Sequence, residues 1–413
     1  MILRARFVVP AGGPPIADGA VLVRCQRVAA VGRWRDFGAG GRRALDLGEV
    51  ALLPGLVNAH CHLDYTDLAG QFPPPRRFTD WLRLMRAAKA AWTPAEVAAS
   101  WAAGARMLLR TGVTTLGNIE TAPDLLRGLG RSTPLRVLSF LEMICLGRRP
   151  PRVVLRETAA RLAGWRGAAL PPGLSPHAPY TTVPELLRLT ADLARRRGWR
   201  AAIHVAESRL EFDMFAHARG DMADWLKRNG RDMSDCGLGS PVRHLERCRL
   251  LGANLLAVHA NYLGPGDAAL LGRRGVSVAH CPRSHAYFGH APFPLRALAR
   301  AGVNVCLGTD SLASVRKAPR QSVELNLFEE MRALALAQPW LAPRRILQMA
   351  TVNAARALGL AGRAGALVPG AWADLIVLPF TGTRAELDEA ILHFPGHVSG
   401  SMINGRWVIP PGE

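Results

Sequence analysis

The sequence predicts an α/β protein: a closed (β/α)₈ barrel of the TIM type with a small β-sandwich domain composed of both chain termini. Two observations lead to this fold class. Strand-like apolar runs alternate with helical segments eight times over about 310 residues, which is typical of a parallel barrel. On either side of this region, short β-branched runs are separated by turns. We expect the small domain at residues 1–52 plus 365–413 and the barrel at residues 53–364.

The predicted barrel strands are short apolar runs, each followed by a helix or a turn. They cover residues 50–59, 112–116, 135–141, 173–177, 200–204, 254–259, 275–280 and 303–308. Helices are predicted at residues 123–129, 183–197, 210–218 and 342–358. A further helix is expected from Phe78 onward, in a long insertion after the first strand. Loops that follow the carboxyl ends of barrel strands, as this insertion does, commonly shape the binding pocket.

The terminal segments carry hairpin signals rather than helix signals. Residues 20–24 and 27–32 resemble two strands of an antiparallel sheet, and residues 373–378 and 400–403 have the same character. Asn404-Gly405 is a strong two-residue hairpin turn that leads into residues 406–409. We therefore expect the two ends of the chain to pair with each other.

Length and composition place the chain among large globular proteins. It has 413 residues, of which 49% are hydrophobic and 20% charged, enough for an extensive core. No apolar run reaches the roughly 18 residues that a membrane span requires, and the N-terminus lacks the layout of a signal peptide. The seven cysteines are scattered and form no Cys-x-x-Cys. We expect reduced thiols, a cytoplasmic location and no membrane partner.

The net charge of +20 would suit a nucleic-acid partner, but its composition argues against one. Only Lys89, Lys227 and Lys317 among the 52 basic residues are lysines, and alanine, glycine and proline are abundant. A compositional bias toward arginine explains this charge better than a selected basic surface. We expect no nucleic-acid partner.

Two histidines end the first predicted barrel strand, in the segment PGLVNAHCHLD. Side chains two residues apart on a strand point to the same face, so His60 and His62 converge on one point. Neutral imidazole is the commonest metal-ligating side chain. Further polar residues end other predicted strands: His177, His204, His259, His280 and Asp310. Because active sites of barrels lie at the carboxyl ends of the strands, this set predicts a metal-dependent enzyme.

Several segments together resemble the amidohydrolase superfamily, and within it the deaminase and chlorohydrolase branch that includes S-adenosylhomocysteine, aminofutalosine, guanine and cytosine deaminases. They are PGLVNAHCHLD, TGVTTLGNI, SPHAPYT, HVAES, VHANYL, AHCPRSH, LGTDSLAS, GALVPGAWADLIVL and SMINGRWV. The resemblance covers essentially the whole chain. It implies a metal-bearing barrel with a composite β domain.

The resemblance also implies roles for individual residues. His60, His62, His204 and Asp310 would bind one divalent ion, with zinc expected and Fe(II) as the alternative. Glu207 would be the proton shuttle, His259 would contact the reacting water or the substrate, and Asp310 would accept a second proton. His177 matches a substrate-contacting histidine of the nucleoside deaminases.

The residue chemistry agrees with these roles. A ligand set of three histidines and one aspartate leaves a coordination position open for water, which the ion acidifies toward a pKa of about 7. A carboxylate beside that water suits proton transfer. Strand 4 ends Ser175-Pro176-His177, without the lysine or glutamate that bridges paired ions in binuclear relatives. We therefore expect a single ion.

Three further residues are candidates for substrate contact. His285 stands where the family usually shows asparagine, and with nearby His290 it either reshapes the pocket or lies in a solvated loop. Glu142 either faces the pocket or pairs with an arginine. Tyr180 and Arg148 are weaker candidates, and Trp81, Leu82 and Met85 suit packing of a covering helix.

The expected reaction is hydrolytic deamination of an amino-substituted heterocycle, with dechlorination or cyclic amide hydrolysis as alternatives. The segment SPHAPYT favours an adenine-type nucleoside with a modified 5′ position. An arginine would suit a carboxylate there, and the candidates are Arg76, Arg77, Arg148 and Arg283. The expected partner is a small heterocyclic molecule. A homodimer is left open.

Overall fold

The computed structural model describes residues 1–37, 44–130, 132–147, 149–163 and 170–412. Its strands form two separate sheets, one from the middle of the chain and one from both termini. This arrangement confirms the predicted fold class.

The first sheet is a parallel barrel in which strands that are consecutive in the chain are neighbours in space. Its strands are β6 (Leu56–Cys61), β7 (Val113–Glu120), β8 (Arg136–Met143), β9 (Gly173–Pro176), β10 (Ala201–Val205), β11 (Leu255–His259), β12 (Ser277–His280) and β13 (Asn304–Leu307). An apolar cluster that includes Val57, Leu138, Phe140 and Val258 fills the interior. The barrel is therefore a packed core, and only the ends of its strands are available for chemistry.

Closure of the barrel relies on side chains as well as backbone. Cys61 and Asp310 form an isolated parallel bridge between the first strand and the segment after the last. The Asn58 amide donates to Thr309 Oγ1 (2.8 Å) and accepts from the Thr309 backbone N–H (3.1 Å). A side chain at Gly308 would meet His60 at 2.8 Å, so this position admits only glycine without rearrangement. These contacts hold β6 and β13 together at the level of the predicted metal ligands.

The second sheet contains the terminal strands in the order β16-β15-β14-β5-β1-β2-β3, with β4 paired to β1. They are β1 (Ile2–Val8), β2 (Ile16–Arg24), β3 (Arg27–Arg33), β4 (Ala44–Asp46), β5 (Val50–Pro54), β14 (Leu375–Pro379), β15 (Gly400–Ile403) and β16 (Arg406–Ile409). The sheet bends back on itself, because the Val28 N–H donates to the Ala371 carbonyl and the Ala373 N–H to that of Gln26 (both 2.9 Å). It encloses its own apolar core.

Helices connect the barrel strands and cover its outside. They are α1 (Phe78–Ala91), α2 (Pro94–Arg110), α3 (Leu126–Leu129), α4 (Pro151–Ala163), α5 (Pro184–Arg197), α6 (Arg209–His217), α7 (Asp221–Arg228), α8 (Pro241–Arg247), α9 (Asp267–Arg273), α10 (Pro282–Phe288), α11 (Leu295–Arg300), α12 (Leu327–Ala337), α13 (Pro343–Met349), α14 (Val352–Ala357) and α15 (Leu387–Leu392). Among the described residues, no helix combines the length and the apolar character needed to cross a membrane.

The apolar run at residues 50–59 is two strands rather than the single one predicted. β5 pairs with β1 and β14 in the terminal sheet, whereas β6 begins the barrel. The chain changes sheet at Gly55, whose N–H donates to the Asp374 carbonyl (3.0 Å). A Cβ at Gly55 would lie 2.1 Å from Thr114 Oγ1, so only glycine allows the two sheets to approach this closely.

The predicted helix at residues 342–358 is likewise divided. α13 ends before Thr351, and α14 begins after it. The Thr351 hydroxyl donates to the Leu347 carbonyl (2.7 Å), and its backbone leaves the helical region at φ −135° and ψ −98°. A side-chain bond of this kind competes with helix continuation, and periodicity alone does not reveal it.

The two sheets are joined by a buried ion pair. Arg136, at the start of β8, donates from Nε to Asp374 Oδ2 (2.7 Å) and from Nη2 to Oδ1 (3.3 Å). The guanidinium also lies 4.0 Å from the ring centroid of Trp372. The terminal sheet is therefore fixed to the outside of the barrel by a bidentate contact that excludes water.

Candidate metal centre and active site

The residues predicted to form the site meet at the carboxyl ends of the barrel strands. Most of them, but not His60 or His285, border a cavity of about 350 Å³. Its polar lining includes His62, Glu142, His177, Thr181, His204, Glu207, His259 and Asp310. Its apolar walls come from α1, from the loop after β8 and from α7, through Phe78, Trp81, Leu82, Met85, Ile144, Leu146, Trp225 and Leu226.

Three histidine side chains form the deepest part of this arrangement. The candidate ligand atoms of His60, His62 and His204 all lie within 4.8 Å of one another. The Nε2 atoms of His62 and His204 are 3.2 Å apart. His60 Nε2 and His62 Nε2 lie 3.6 Å and 3.7 Å from Asp310 Oδ1. All four residues are buried, so these nitrogen and oxygen atoms face one another rather than bulk water.

The proton of His204 is fixed by the neighbouring strand end. His204 Nδ1 lies 2.8 Å from the carbonyl oxygen of His177. Because a carbonyl only accepts, Nδ1 carries the proton and Nε2 presents its lone pair to the cluster. Such an outer hydrogen bond orients most metal-ligating histidines. Burial lowers the pKa of His204 well below its usual range, and nearby imidazoles lower it further.

Two hydroxyl groups donate hydrogen bonds to the carboxylate of Asp310, whose backbone adopts a left-handed conformation. Its Oδ2 accepts from Ser284 Oγ (2.7 Å) and Ser314 Oγ (3.4 Å), which leaves Oδ1 toward the histidines. Burial alone would raise its pKa, but the surrounding imidazoles outweigh that effect and hold the pKa of Asp310 well below its usual range. A carboxylate among imidazoles is the kind of donor set that a divalent cation such as zinc prefers.

The donor set therefore fits a divalent metal ion. Both ring nitrogens of His60, as well as Nδ1 of His62, are buried without a hydrogen-bond partner. Unsatisfied polar atoms of this kind are rare in folded proteins unless a ligand or ion satisfies them. Three imidazoles and one carboxylate also match the ligands of catalytic zinc sites.

Glu207 follows β10 and is buried beside the metal candidates. Its Oε1 lies 3.5 Å from His259 Nε2. Its backbone N–H donates to Glu211 Oε2 (2.9 Å), and the Ala206 N–H donates to Glu211 Oε1 (2.9 Å). Burial, together with the carboxylates of Asp310 and Glu211, raises the pKa of Glu207 well above its usual range. A buried carboxyl group whose pKa is raised in this way suits acid–base work.

His259 ends β11 and borders the same cavity. Burial lowers its pKa to about 3, so the imidazole is neutral at physiological pH. His259, Asp310 and Ala206 all adopt left-handed backbone conformations, with φ of 74°, 54° and 52°. Such conformations cost of order 1–3 kcal/mol each in non-glycine residues and cluster at functional sites.

His177 lies at the cavity wall, next to the turn Pro179–Thr181. Its Nδ1 is 2.7 Å from Thr181 Oγ1, and that hydroxyl donates to the Ala178 carbonyl (3.2 Å). Because the single hydroxyl proton is used there, His177 Nδ1 donates to Thr181 and Nε2 remains an acceptor. Burial lowers the pKa of His177, in agreement with a neutral ring.

Glu142, on β8, lines the cavity together with Lys89 of α1. The Lys89 ammonium lies 3.9 Å from Glu142 Oε2 and 5.1 Å from the ring centroid of Tyr65. Both alternatives for Glu142 thus apply in part: the carboxylate faces the cavity, and its charge partner is a lysine rather than an arginine. Arg86, also on α1, lines the same cavity.

His285 lies outside the lining of this cavity. Its Nδ1 is 3.1 Å from Asn261 Oδ1, and Asn261 Nδ2 donates to the Glu207 carbonyl (2.9 Å). His285 is therefore connected to the site by its hydrogen bond to Asn261. His290 packs against His285 and Phe288, with ring centroids 5.4 Å away in each case. Neither histidine is a freely solvated loop residue.

Three of the four arginines named as candidates for a substrate carboxylate lie outside the lining of this cavity. Arg283 is occupied by Glu330 (2.5 Å) and Glu329, and Arg77 pairs with Asp221 (2.9 Å). Arg76 is exposed and does not line the cavity. Arg148 is outside the described residues.

Comparison with known proteins supports the same family. The model of the amidohydrolase family matches residues 51–408. A 5-methylthioadenosine/S-adenosylhomocysteine deaminase of Syntrophobacter fumaroxidans is 33% identical over 382 residues, covering 88% of this chain and 80% of its own.

Solved structures agree in fold. An adenosine deaminase from Xanthomonas campestris with bound zinc has a TM-score of 0.80 at 26% identity, and the match covers 98% of this chain and 92% of that one. The atrazine chlorohydrolase TrzN from Arthrobacter aurescens, complexed with zinc, has a TM-score of 0.84 at 21% identity, covering 99% and 95%. With most of its length matched by the family model and its histidines and aspartate gathered at the barrel mouth, this chain belongs to the amidohydrolase family.

Proposed function

We propose that this protein is a metal-dependent hydrolase that deaminates an adenine-type nucleoside and releases ammonia. The observation that carries the proposal is the buried pair of Glu207 and His259, 3.5 Å apart, beside the cluster of His60, His62 and His204 that Asp310 Oδ1 approaches at 3.6–3.7 Å. A relative whose name states deamination of adenine nucleosides is 33% identical, which supports the same chemistry here.

One divalent ion, zinc in preference to Fe(II), would be held by His60, His62, His204 and Asp310. When bound, such an ion supplies a Lewis acid that acidifies water near neutral pH. The hydrogen bond from His204 to the His177 carbonyl, and those from Ser284 and Ser314 to Asp310, orient the ligands before the ion arrives.

Glu207 is assigned the proton transfers. It takes a proton from the attacking water and delivers it to a ring nitrogen of the base, which makes the amino-bearing carbon more electrophilic. His259 orients the water oxygen through a hydrogen bond, and Asp310 accepts the second proton. The second proton passes from Asp310 to the amino group, which leaves as ammonia when the tetrahedral carbon collapses. Proton transfer by a positioned carboxyl typically contributes about 10²–10⁴ in rate.

The remainder of the cavity suits a nucleoside. His177 presents an acceptor nitrogen, which matches a sugar hydroxyl, and Glu142 offers a carboxylate for a second one. Apolar side chains from α1 and α7 would cover a base or a thioether at the 5′ position. Lys89 and Arg86 supply positive charge for substrates whose 5′ group carries a carboxylate. His285 would act on the substrate only indirectly, by orienting Asn261.

Dechlorination and cyclic amide hydrolysis remain the alternatives within the family, since a chlorohydrolase shares the fold. Glu207 favours deamination, because its proton can activate a ring nitrogen. The test is ammonia release from adenosine, 5′-methylthioadenosine, S-adenosylhomocysteine and aminofutalosine, compared with guanine, cytosine and a chlorotriazine. We expect turnover of at least one nucleoside. Turnover of a free base or chlorotriazine without any nucleoside would reject the proposal.

A further inference from the structure

Arg231 is a buried cation that lies outside the cavity yet contacts both of its walls. Its side chain is only 1% exposed. Nε donates to the Tyr180 carbonyl (3.0 Å), Nη2 to the Pro179 carbonyl (3.3 Å) and Nη1 to the Asp232 carbonyl (2.6 Å). Nη1 and Nη2 also reach the two oxygens of Asp235, at 2.8 Å each. Each of the three guanidinium nitrogens therefore donates, and the five contacts match the five N–H donors of arginine.

Two of these bonds fix the turn Pro179–Thr181. That turn supports His177, because Thr181 Oγ1 lies 2.7 Å from His177 Nδ1. The His177 carbonyl in turn receives the proton of His204 Nδ1 (2.8 Å). Displacement of the turn would therefore move His177, a proposed substrate contact.

The backbone of Arg231 contacts α7, the helix that forms the opposite wall of the cavity. Its backbone N–H donates to the Leu226 carbonyl (3.0 Å), just beyond the end of α7. Trp225 and Leu226 of this helix line the cavity. The guanidinium also lies 5.6 Å from the ring centroid of Phe215, within an apolar cluster that includes Phe78, Tyr180 and Leu226. Arg231 thus joins the turn, through its guanidinium, to the end of α7, through its backbone N–H.

Asp235 compensates the charge of Arg231. His244 Nε2 lies 3.7 Å from Asp235 Oδ2, but burial lowers the pKa of His244 to about 4. The imidazole is neutral at physiological pH, so Arg231 is the cation that Asp235 meets in this buried pair. A bidentate pair of this geometry has low freedom of movement, as a rigid spacer requires.

We propose that Arg231 is a positioning residue that sets the distance between the His177 turn and α7, and with it the affinity for the nucleoside. This inference rests on the proposed deamination. Because both walls would contact bound substrate in the ground state and the transition state alike, loss of the spacer should raise KM more than it lowers kcat.

The test is Arg231→Lys, which keeps the charge but cannot reproduce five donors in a planar fork. The matched control is Arg195→Lys, since Arg195 also bridges an aspartate (Asp192, 2.7 Å) and a carbonyl (Arg249, 2.7 Å), but on the exposed surface of α5. With 5′-methylthioadenosine, we expect Arg231→Lys to raise KM at least tenfold, with kcat reduced less than threefold and metal content unchanged. The control should match the parent. A KM within twofold of the parent overturns the inference, whatever happens to kcat.

Hydrogen–deuterium exchange separates this inference from the proposed reaction. In the peptide covering residues 177–183, Arg231→Lys should exchange at least tenfold faster than the parent or Arg195→Lys. If the parent protein deaminates no nucleoside, the proposed function is wrong, and the exchange experiment alone tests the role of Arg231. Exchange in residues 177–183 that is the same in Arg231→Lys and in the parent would then overturn the inference that Arg231 positions the turn. Should Arg231→Lys not fold, Asp235→Asn weakens the same pair less severely and is judged by the same criteria.

Discussion

His62 directly follows the first strand of the eight-stranded barrel and His204 lies on the fifth, yet their Nε2 atoms lie only 3.2 Å apart. Their rings are nearly parallel, at 12°. Two imidazole nitrogens at this distance can bind one shared cation. The geometry of the centre therefore depends on closure of the barrel rather than on any local segment.

We expect one tightly bound divalent ion per chain. β9 ends in Ser175 and Pro176 and supplies no bridging carboxylate or lysine, and two divalent cations within about 4 Å of each other would repel strongly in a dry site. Elemental analysis of the purified protein measures the stoichiometry. His204→Asn should lose most of the metal, whereas Lys227→Arg, a change on α7 far from the ligands in sequence, should retain it. Two ions per chain, both required for activity, would contradict the expectation.

Glu207→Gln should keep the metal and lose most turnover. Glutamine preserves the shape and hydrogen bonding of the side chain but cannot carry a proton between water and base, so we expect a loss of about 10²–10⁴ in kcat. Asp310→Asn should lose metal as well, because it removes the only carboxylate assigned as a ligand. Steady-state kinetics combined with metal analysis distinguishes the two variants. A near-normal rate in Glu207→Gln would show that another group transfers the proton.

Loss of the Arg136–Asp374 pair should destabilise the protein. Asp374→Ala leaves a buried guanidinium without its charge partner, which typically costs about 3–5 kcal/mol. Thermal unfolding measures the change. The control is Glu157→Ala, which removes an exposed partner of Arg149 (2.8 Å) and should lower the melting temperature far less, because exposed ion pairs contribute little to stability. Equal melting temperatures for the two variants would indicate that the buried pair contributes no more than a surface pair.

The free energy of unfolding should fall as the pH rises, because Glu120 loses its proton. This carboxyl ends β7, accepts from Ser139 Oγ (2.8 Å) and Trp101 Nε1 (3.3 Å), and has a pKa raised by burial to about 8. A raised pKa means that the folded state binds the proton more tightly than the unfolded state. The stabilisation is therefore complete below about pH 4.5 and is lost as the pH approaches about 8, by at most about 1.4 kcal/mol per pH unit.

Glu120→Gln cannot ionise, so its stability relative to the parent should rise between pH 5.5 and pH 8. Urea unfolding at several pH values measures the difference, and Glu185→Gln, on the exposed side of α5, serves as the control. A difference that does not vary with pH would contradict the assignment to Glu120.

The gathering of the histidines could be predicted because it follows from strand geometry. Residues at the carboxyl ends of parallel strands share one rim, and His60, His62, His177, His204 and His259 occupy such positions in the structure. The groups that orient them could not be predicted in the same way. Glu211 sits in the first turn of α6 and Asn261 in a loop, where polar residues are ordinarily solvated.

The polar contacts of Glu211 and Asn261 depend on left-handed residues. Ala206 at φ 52° and His259 at φ 74° turn the chain so that these side chains point back at the backbone around Glu207. A left-handed backbone conformation cannot be predicted from the residue type alanine or histidine. A spacing signal was present for Glu211, four residues after Glu207, since an acidic residue in a first helical turn can accept free N–H groups. Ser284 and Arg231 had no comparable signal.

Barrel closure through Asn58 and Thr309 joins positions 251 residues apart in the chain. During synthesis, His60 and His62 leave the ribosome long before Asp310 has been added. The proposed ligand set exists only once β13 has docked on β6, so complete coordination would be a late event in biosynthesis. Metal loading would thereby report on folding: a chain that stalls before its last barrel strand offers an incoming ion the three proposed imidazole ligands at most and no carboxylate from Asp310.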